Sequence, residues 1–208
     1  MTTLEAVTLA AVAWSVGALA WAARSAWRRP SPRAAAAPAG TALSGIVYAF
    51  GAGMSPRAKE SASHHPLVYV AGLVYHAGVL SGGAALVAHL AGAALPASIA
   101  LGLGAAMTLG ATAGLVLLAR RRSNPLLQAI SAPDDYASNA IVDAWLASGA
   151  LAMFTWSVTP FLVLTIVLAL YAPLGKIRHC VFFFLARGLF GTRLGRRGVV
   201  AHLHGSRS

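Results

Sequence analysis

The chain has 208 residues, of which 58% are hydrophobic and only 10% charged, and it carries a formal net charge of +11. A water-soluble domain normally carries about 25% charged residues, so a soluble fold is excluded and lipid is the expected solvent. The positive charge is gathered between apolar runs, as in the cytoplasmic loops of a membrane protein, and this excludes nucleic acid as a partner.

The first apolar run predicts a transmembrane helix over residues 4–27. It is too long for a signal-peptide core and has no small-residue cleavage site behind it. It ends at Arg24, Arg28, Arg29 and Arg33, which places the amino end outside. Residues 28–65 form a long cytoplasmic loop, opened by Pro30, Pro32 and an alanine-proline stretch of low complexity. Its later part, 45–61, mixes apolar residues with Arg57, Lys59 and Glu60, and predicts a short interfacial helix or a docking surface.

A second helix is predicted over 66–94, with Pro66 at its first turn, and a third over 97–119, stopping at Arg120, Arg121 and Arg122. After the polar loop 123–133, Ser131 followed three residues later by Asp134 predicts a capping-box-like start. Asp134 and Asp135 then sit at the positive end of a fourth helix, 133–156. Pro160 marks an outer turn. The fifth helix is predicted over 161–187 with a kink at Pro173, followed by a basic tail, 188–208, that holds His202 and His204.

With this alternation every basic cluster falls on one side. The expected fold is therefore a single all-α integral membrane domain over 1–208. It has five transmembrane helices, the amino end outside and the carboxyl end cytoplasmic. The lone Cys180 excludes an internal disulfide, and the glycines and alanines of helices two and three suit close helix contact.

Ionisable side chains in apolar segments cost about 2.5–3.5 kcal/mol each on insertion scales and are usually functional. Here they are His76 and His89 on helix two, Asp143 on helix four, and Lys176, Arg178 and His179 on helix five. Two neutral imidazoles from facing helices form a ligand set for haem iron; a lone membrane histidine is more often a hydrogen-bonded structural residue. Asp143 reads as a hydrogen-bonded helix-start residue, with proton relay as the alternative. His64 and His65, at the mouth of helix two, read as solvated. The chain contains no phosphate loop, zinc spacing or nucleophile with a base, so it is not expected to be catalytic alone.

The tail segment from Tyr171 through Pro173, Gly175 and Lys176 to His179, then Val181–Arg187 and Gly195–Val199, resembles the membrane cytochrome b family. That family comprises the respiratory nitrate reductase gamma subunit and its relatives in heterodisulfide-reductase-like and sulfite-reduction-linked complexes. The loop Arg122–Tyr136 looks like the family's cytoplasmic loop before helix four, and Tyr75-His76-Ala77-Gly78 looks like its second-helix ligand motif.

The resemblance covers about residues 45–200. It implies haem b between helices two and five, with His76 and His179 matching the cytoplasmic-side ligand pair. It also implies quinone (menaquinone or ubiquinone) as substrate, iron–sulfur and catalytic subunits of an oxidoreductase as partners, and the cytoplasmic membrane of a bacterium or archaeon as location.

The family's second ligand pair has no match. Five turns before His179 stands Phe161, which cannot ligate iron. His89 lies about 220° around the helix from His76, so it reads as a structural or quinone-side residue. One haem is therefore expected rather than two. Lys176 and Arg178 read either as partners of haem propionates or as cations snorkelling to headgroups. The alternatives to an electron carrier are a haem-free structural anchor, a diheme variant using His89, and a small transporter, which the lack of paired broken helices disfavours.

Overall fold

The computed structural model describes residues 1–29, 37–55, 58, 63–155 and 157–199, and every regular element among them is helical. Arg33, Arg57, Lys59, Glu60, Trp156, His202 and His204 lie outside the described residues. Four helices are long and apolar enough to cross a membrane: α1 (Thr3–Trp27), α3 (Pro66–Leu90), α4 (Ala97–Ser123) and α6 (Pro133–Thr155). By these helices the chain is a multi-pass membrane protein. The others are α2 (Ala42–Phe50), α5 (Pro125–Ala129), α7 (Thr159–Tyr171) and α8 (His179–Arg196).

The long helices α3, α4 and α6 begin at the residues expected, and some ends differ. α3 stops at Leu90 rather than near 94, where Gly92 takes φ +67° and Pro96 follows. α4 runs on through Arg120, Arg121 and Arg122 to Ser123, because cations are favourable at the negative end of a helix dipole. The predicted loop after it contains α5, whose amides of Leu126 and Leu127 are capped by the Asn124 side chain at 2.9 and 3.3 Å.

The start of α6 is shifted from the expected capping box. Asp135, not Asp134, reaches back to the backbone N–H of Ala132 at 2.8 Å, while Ser131 donates to the Leu127 carbonyl at 2.6 Å.

The predicted fifth helix is broken. α7 ends at Tyr171, a 3₁₀ turn covers Lys176–Arg178, and α8 begins at His179. Pro173 lacks an N–H and clashes with the preceding turn, and the amides of Leu174 and Gly175 both bond the Tyr171 carbonyl, at 3.0 and 2.9 Å. At 13 residues, α7 alone spans only about 20 Å of a ~30 Å core. A fifth crossing exists only if α7 and the segment after it count as one broken span.

The chain divides into two compact units, Met1–Ala18 with Leu67–Ile177, and Leu19–Pro66 with Arg178–Ser208. The core of the first contains Met107, Trp145, Leu146, Phe161 and Leu162, each under 5% exposed. Trp145 organises it. Its indole N–H donates to Thr165 Oγ1 at 2.8 Å, its ring lies 5.5 Å from that of Phe161, and it fills the notch left by Gly82. α3 and α4 approach backbone to backbone at Gly78 and Gly110, where a Cβ on Gly78 would fall 2.8 Å from the Gly110 Cα.

In the second unit α2 packs on α8 through Gly45, Gly191 and Gly195. A Cβ on Gly191 would lie 2.7 Å from both the Gly45 carbonyl oxygen and the Ile46 Cα. The Gly191-x-x-x-Gly195 spacing puts both glycines on one face. The Phe50 and Phe184 rings stack at 6.2 Å. Arg187 donates to the Gly53 carbonyl at 3.1 Å and lies over the Phe183 ring.

A polar clasp holds the start of α6. Asp135 takes Lys176 at 2.6 Å and Arg121 at 3.5 Å, and Tyr171 donates its hydroxyl to Asp134. Asp135→Asn loses both ion pairs and weakens the bond to Ala132. Lys176 and Arg121 are 49% and 39% exposed, so solvent screens both pairs and the expected loss is about 1 kcal/mol. A small drop in melting temperature of the detergent-solubilised protein, erased at high salt, is the expected reading.

Candidate functional site

His76 lies ten residues into α3, near the middle of the span. Its Nδ1 faces the Gly72 carbonyl at 2.6 Å. A carbonyl only accepts, so Nδ1 carries the hydrogen and Nε2 presents its lone pair outward. The ring is exposed, and Nε2 has no protein partner among the described residues. Gly72 and Gly83, one turn before and two turns after, share its face, and nothing stands within 4 Å of where their Cβ atoms would be. This is an oriented imidazole on a helix face left open at both glycines. It fits an axial ligand of haem, for which a backbone carbonyl commonly fixes the second ring nitrogen.

His89 occupies the other side of α3, near buried Gly82 and Ala85. Its Nε2 is buried 3.2 Å from Glu5 Oε1, close enough for an ion pair though not aligned as a hydrogen bond. Glu5 also closes a capping box at the start of α1: Thr2 N donates to Glu5 Oε2 at 2.7 Å, and Glu5 N to Thr2 Oγ1 at 3.2 Å. The sequence reading passed over Glu5, although a threonine followed three residues later by glutamate was the signal for it. Beside His89 opens a cavity of about 340 Å³ whose other walls are apolar, among them Leu95, Ala100, Met153 and Val158. That is the size of a small-ligand pocket.

His179 is exposed at the first turn of α8, and Arg178 before it is exposed as well. Lys176 is in the clasp with Asp135. His76 and Lys176 belong to the first unit, Arg178 and His179 to the second.

The helix break also corrects one inference: with α7 ending at Tyr171, residues 161 and 179 are not related by five continuous turns. Phe161 is a core residue, 1% exposed and packed on Trp145. His64 and His65 are exposed. Asp143 departs from its expected role as a hydrogen-bonded helix-start residue: it lies mid-helix, buried, with neither carboxylate oxygen bonded among the described residues. Among those residues no cluster of three or more His, Cys, Asp or Glu side chains suited to a metal ion occurs, and a haem needs only two axial ligands.

No family model matches the sequence, and no curated protein or solved structure matches it.

Proposed function

We propose that this chain is a haem b-containing membrane anchor and electron-transfer subunit of a respiratory oxidoreductase complex. It passes electrons between a membrane quinone, menaquinone or ubiquinone, and an iron–sulfur partner on the cytoplasmic side. The complex resides in the cytoplasmic membrane of a bacterium or archaeon. The observation that carries this reading is the oriented imidazole of His76, with Nδ1 anchored on Gly72 and an open glycine-flanked face around Nε2. An imidazole nitrogen without a partner is costly in lipid, and an axial bond to iron satisfies it.

His76 and His179 are the residues that would hold haem b, which when bound would supply a single-electron carrier. Lys176 is already paired with Asp135, so Arg178, exposed next to His179, is the better cation for a propionate. In this topology the amino end is outside and the carboxyl end cytoplasmic, so Arg24, Arg28 and Arg29 fall on the cytoplasmic side with Arg120–Arg122. The cavity beside His89 then opens near the outer face.

A flat apolar quinone ring suits that cavity. Among the described residues His89 is the one polar side chain on its wall, placed to bond a ring oxygen. A quinol oxidised there gives up two electrons and two protons. His89 would be placed to take one of the protons, the second would pass to water at the outer face, and the two electrons would leave one at a time to the haem; reduction of a quinone would run the same transfers in reverse. The engagement of His89 by Glu5 supports one haem rather than two.

An absorption spectrum of the purified protein with a haem-to-protein ratio tests this. A ratio near one is expected, with loss of the low-spin haem spectrum in His76→Ala and in His179→Ala. An unchanged spectrum in either variant overturns that ligand, a ratio near two restores the diheme form, and zero leaves a haem-free anchor. His89→Ala is expected to keep the spectrum while slowing its reduction by quinol at least tenfold.

A further inference from the structure

The core of the first unit contains an acid that no group among the described residues neutralises. Asp143 on α6 is 5% exposed, and both its oxygens are buried without a hydrogen-bond partner among the described residues. The Oδ1 of Asn139, one turn earlier, is orphaned in the same way. Tyr75 of α3 closes the cluster. Its hydroxyl accepts from Asn139 Nδ2 at 3.4 Å, and sits close to the Asp143 carboxyl without meeting it in hydrogen-bond geometry. From α4 the cluster is faced by Gly114, where a Cβ would run into Asp143 Oδ1 and fall 2.6 Å from the Tyr75 ring. The space around the carboxyl therefore exists because position 114 has no side chain.

Three buried acceptor oxygens in one place, with no cation paired to them among the described residues, are not a stable arrangement for an ionised carboxylate. Something positive must bind. Three side chains offer four oxygens, fewer than the six or more that a hard metal cation takes, whereas a proton needs only one oxygen and turns the carboxyl into a donor. Tyr75 is the titratable side chain that meets the carboxyl from α3, and α4 meets it with glycine.

We infer that Asp143, framed by Asn139, Tyr75 and Gly114, is an intramembrane proton-binding site, independent of any haem. The proton resides on a carboxylate oxygen and is exchangeable with water at the membrane surface.

The chain has five acidic side chains, so infrared spectroscopy can assign a protonated carboxyl to one of them. At neutral pH the full-length protein in detergent is expected to show one carboxylic C=O band that shifts in heavy water. The band is expected to disappear in Asp143→Asn and to persist, displaced, in Asp143→Glu. Absence of the band from the native protein overturns the proposal, and that spectrum needs no variant to fold. A band that survives in Asp143→Asn overturns it as well. So does a sodium- or potassium-dependent change in carboxylate bands that Asp143→Asn abolishes, which would assign the cluster to a metal cation. Because no outcome depends on the haem spectrum, this test and the haem test fail separately.

Discussion

Trp145→Ala is expected to destabilise the first unit by about 3 kcal/mol, the low end of the aqueous range for deleting a buried tryptophan. In lipid the transfer part of that cost shrinks, because acyl chains are as apolar as the core, but the cavity part remains. The indole is 4% exposed, packs at 5.5 Å against the Phe161 ring and fills the notch at Gly82, so its removal leaves a void between three helices. The 2.8 Å bond to Thr165 is lost with it. Trp145→Phe keeps most of the bulk and should cost only about 1 kcal/mol for that bond. Thermal unfolding of the two variants in one detergent separates the terms; equal losses would mean that the hydrogen bond, not the packing, holds this core.

Gly45→Val is the second large effect. A Cβ at position 45 would run into the Gly191 carbonyl oxygen and the backbone of Gly195. Backbone cannot rotate aside as a side chain can, so α2 must leave α8. The cost is expected at or above the ~3 kcal/mol upper end usual for overpacking. The readout is new protease cleavage within residues 41–50, together with a lower melting temperature. Gly188→Ala on α8 is the control. Nothing stands within 4 Å of a Cβ there, and alanine favours a helix by about 1 kcal/mol over glycine, so that variant should hold or gain stability. If both variants behave alike, the glycine contact does not hold α2 in place.

The placement of the four long apolar helices was legible in the sequence because lipid makes the rule simple. A segment without water must bond its own backbone, so a run of about twenty apolar residues reads as a helix with no knowledge of its neighbours. The break at Pro173 was legible only in part: proline announces a disturbance, but whether a helix kinks or ends depends on how nearby groups are satisfied, here by the Tyr171 carbonyl. The opposed directions of His76 and His89 could be read too, since the angle between two residues on one helix is fixed by their spacing.

What each helix face meets was decided by tertiary structure alone. Helices that are apolar all round carry no stripe to mark their inner side. Nothing in the order of residues therefore foretold that Glu5 would reach His89, that Gly114 would make room for Asp143 and Tyr75, or that Gly45 would meet Gly191. Those pairings arise from matching shapes between segments far apart in the chain. The sequence by itself settled where the long apolar helices run and how His76 and His89 diverge; packing settled which polar groups found partners and which, like Asp143 and His76 Nε2, have none among the described residues.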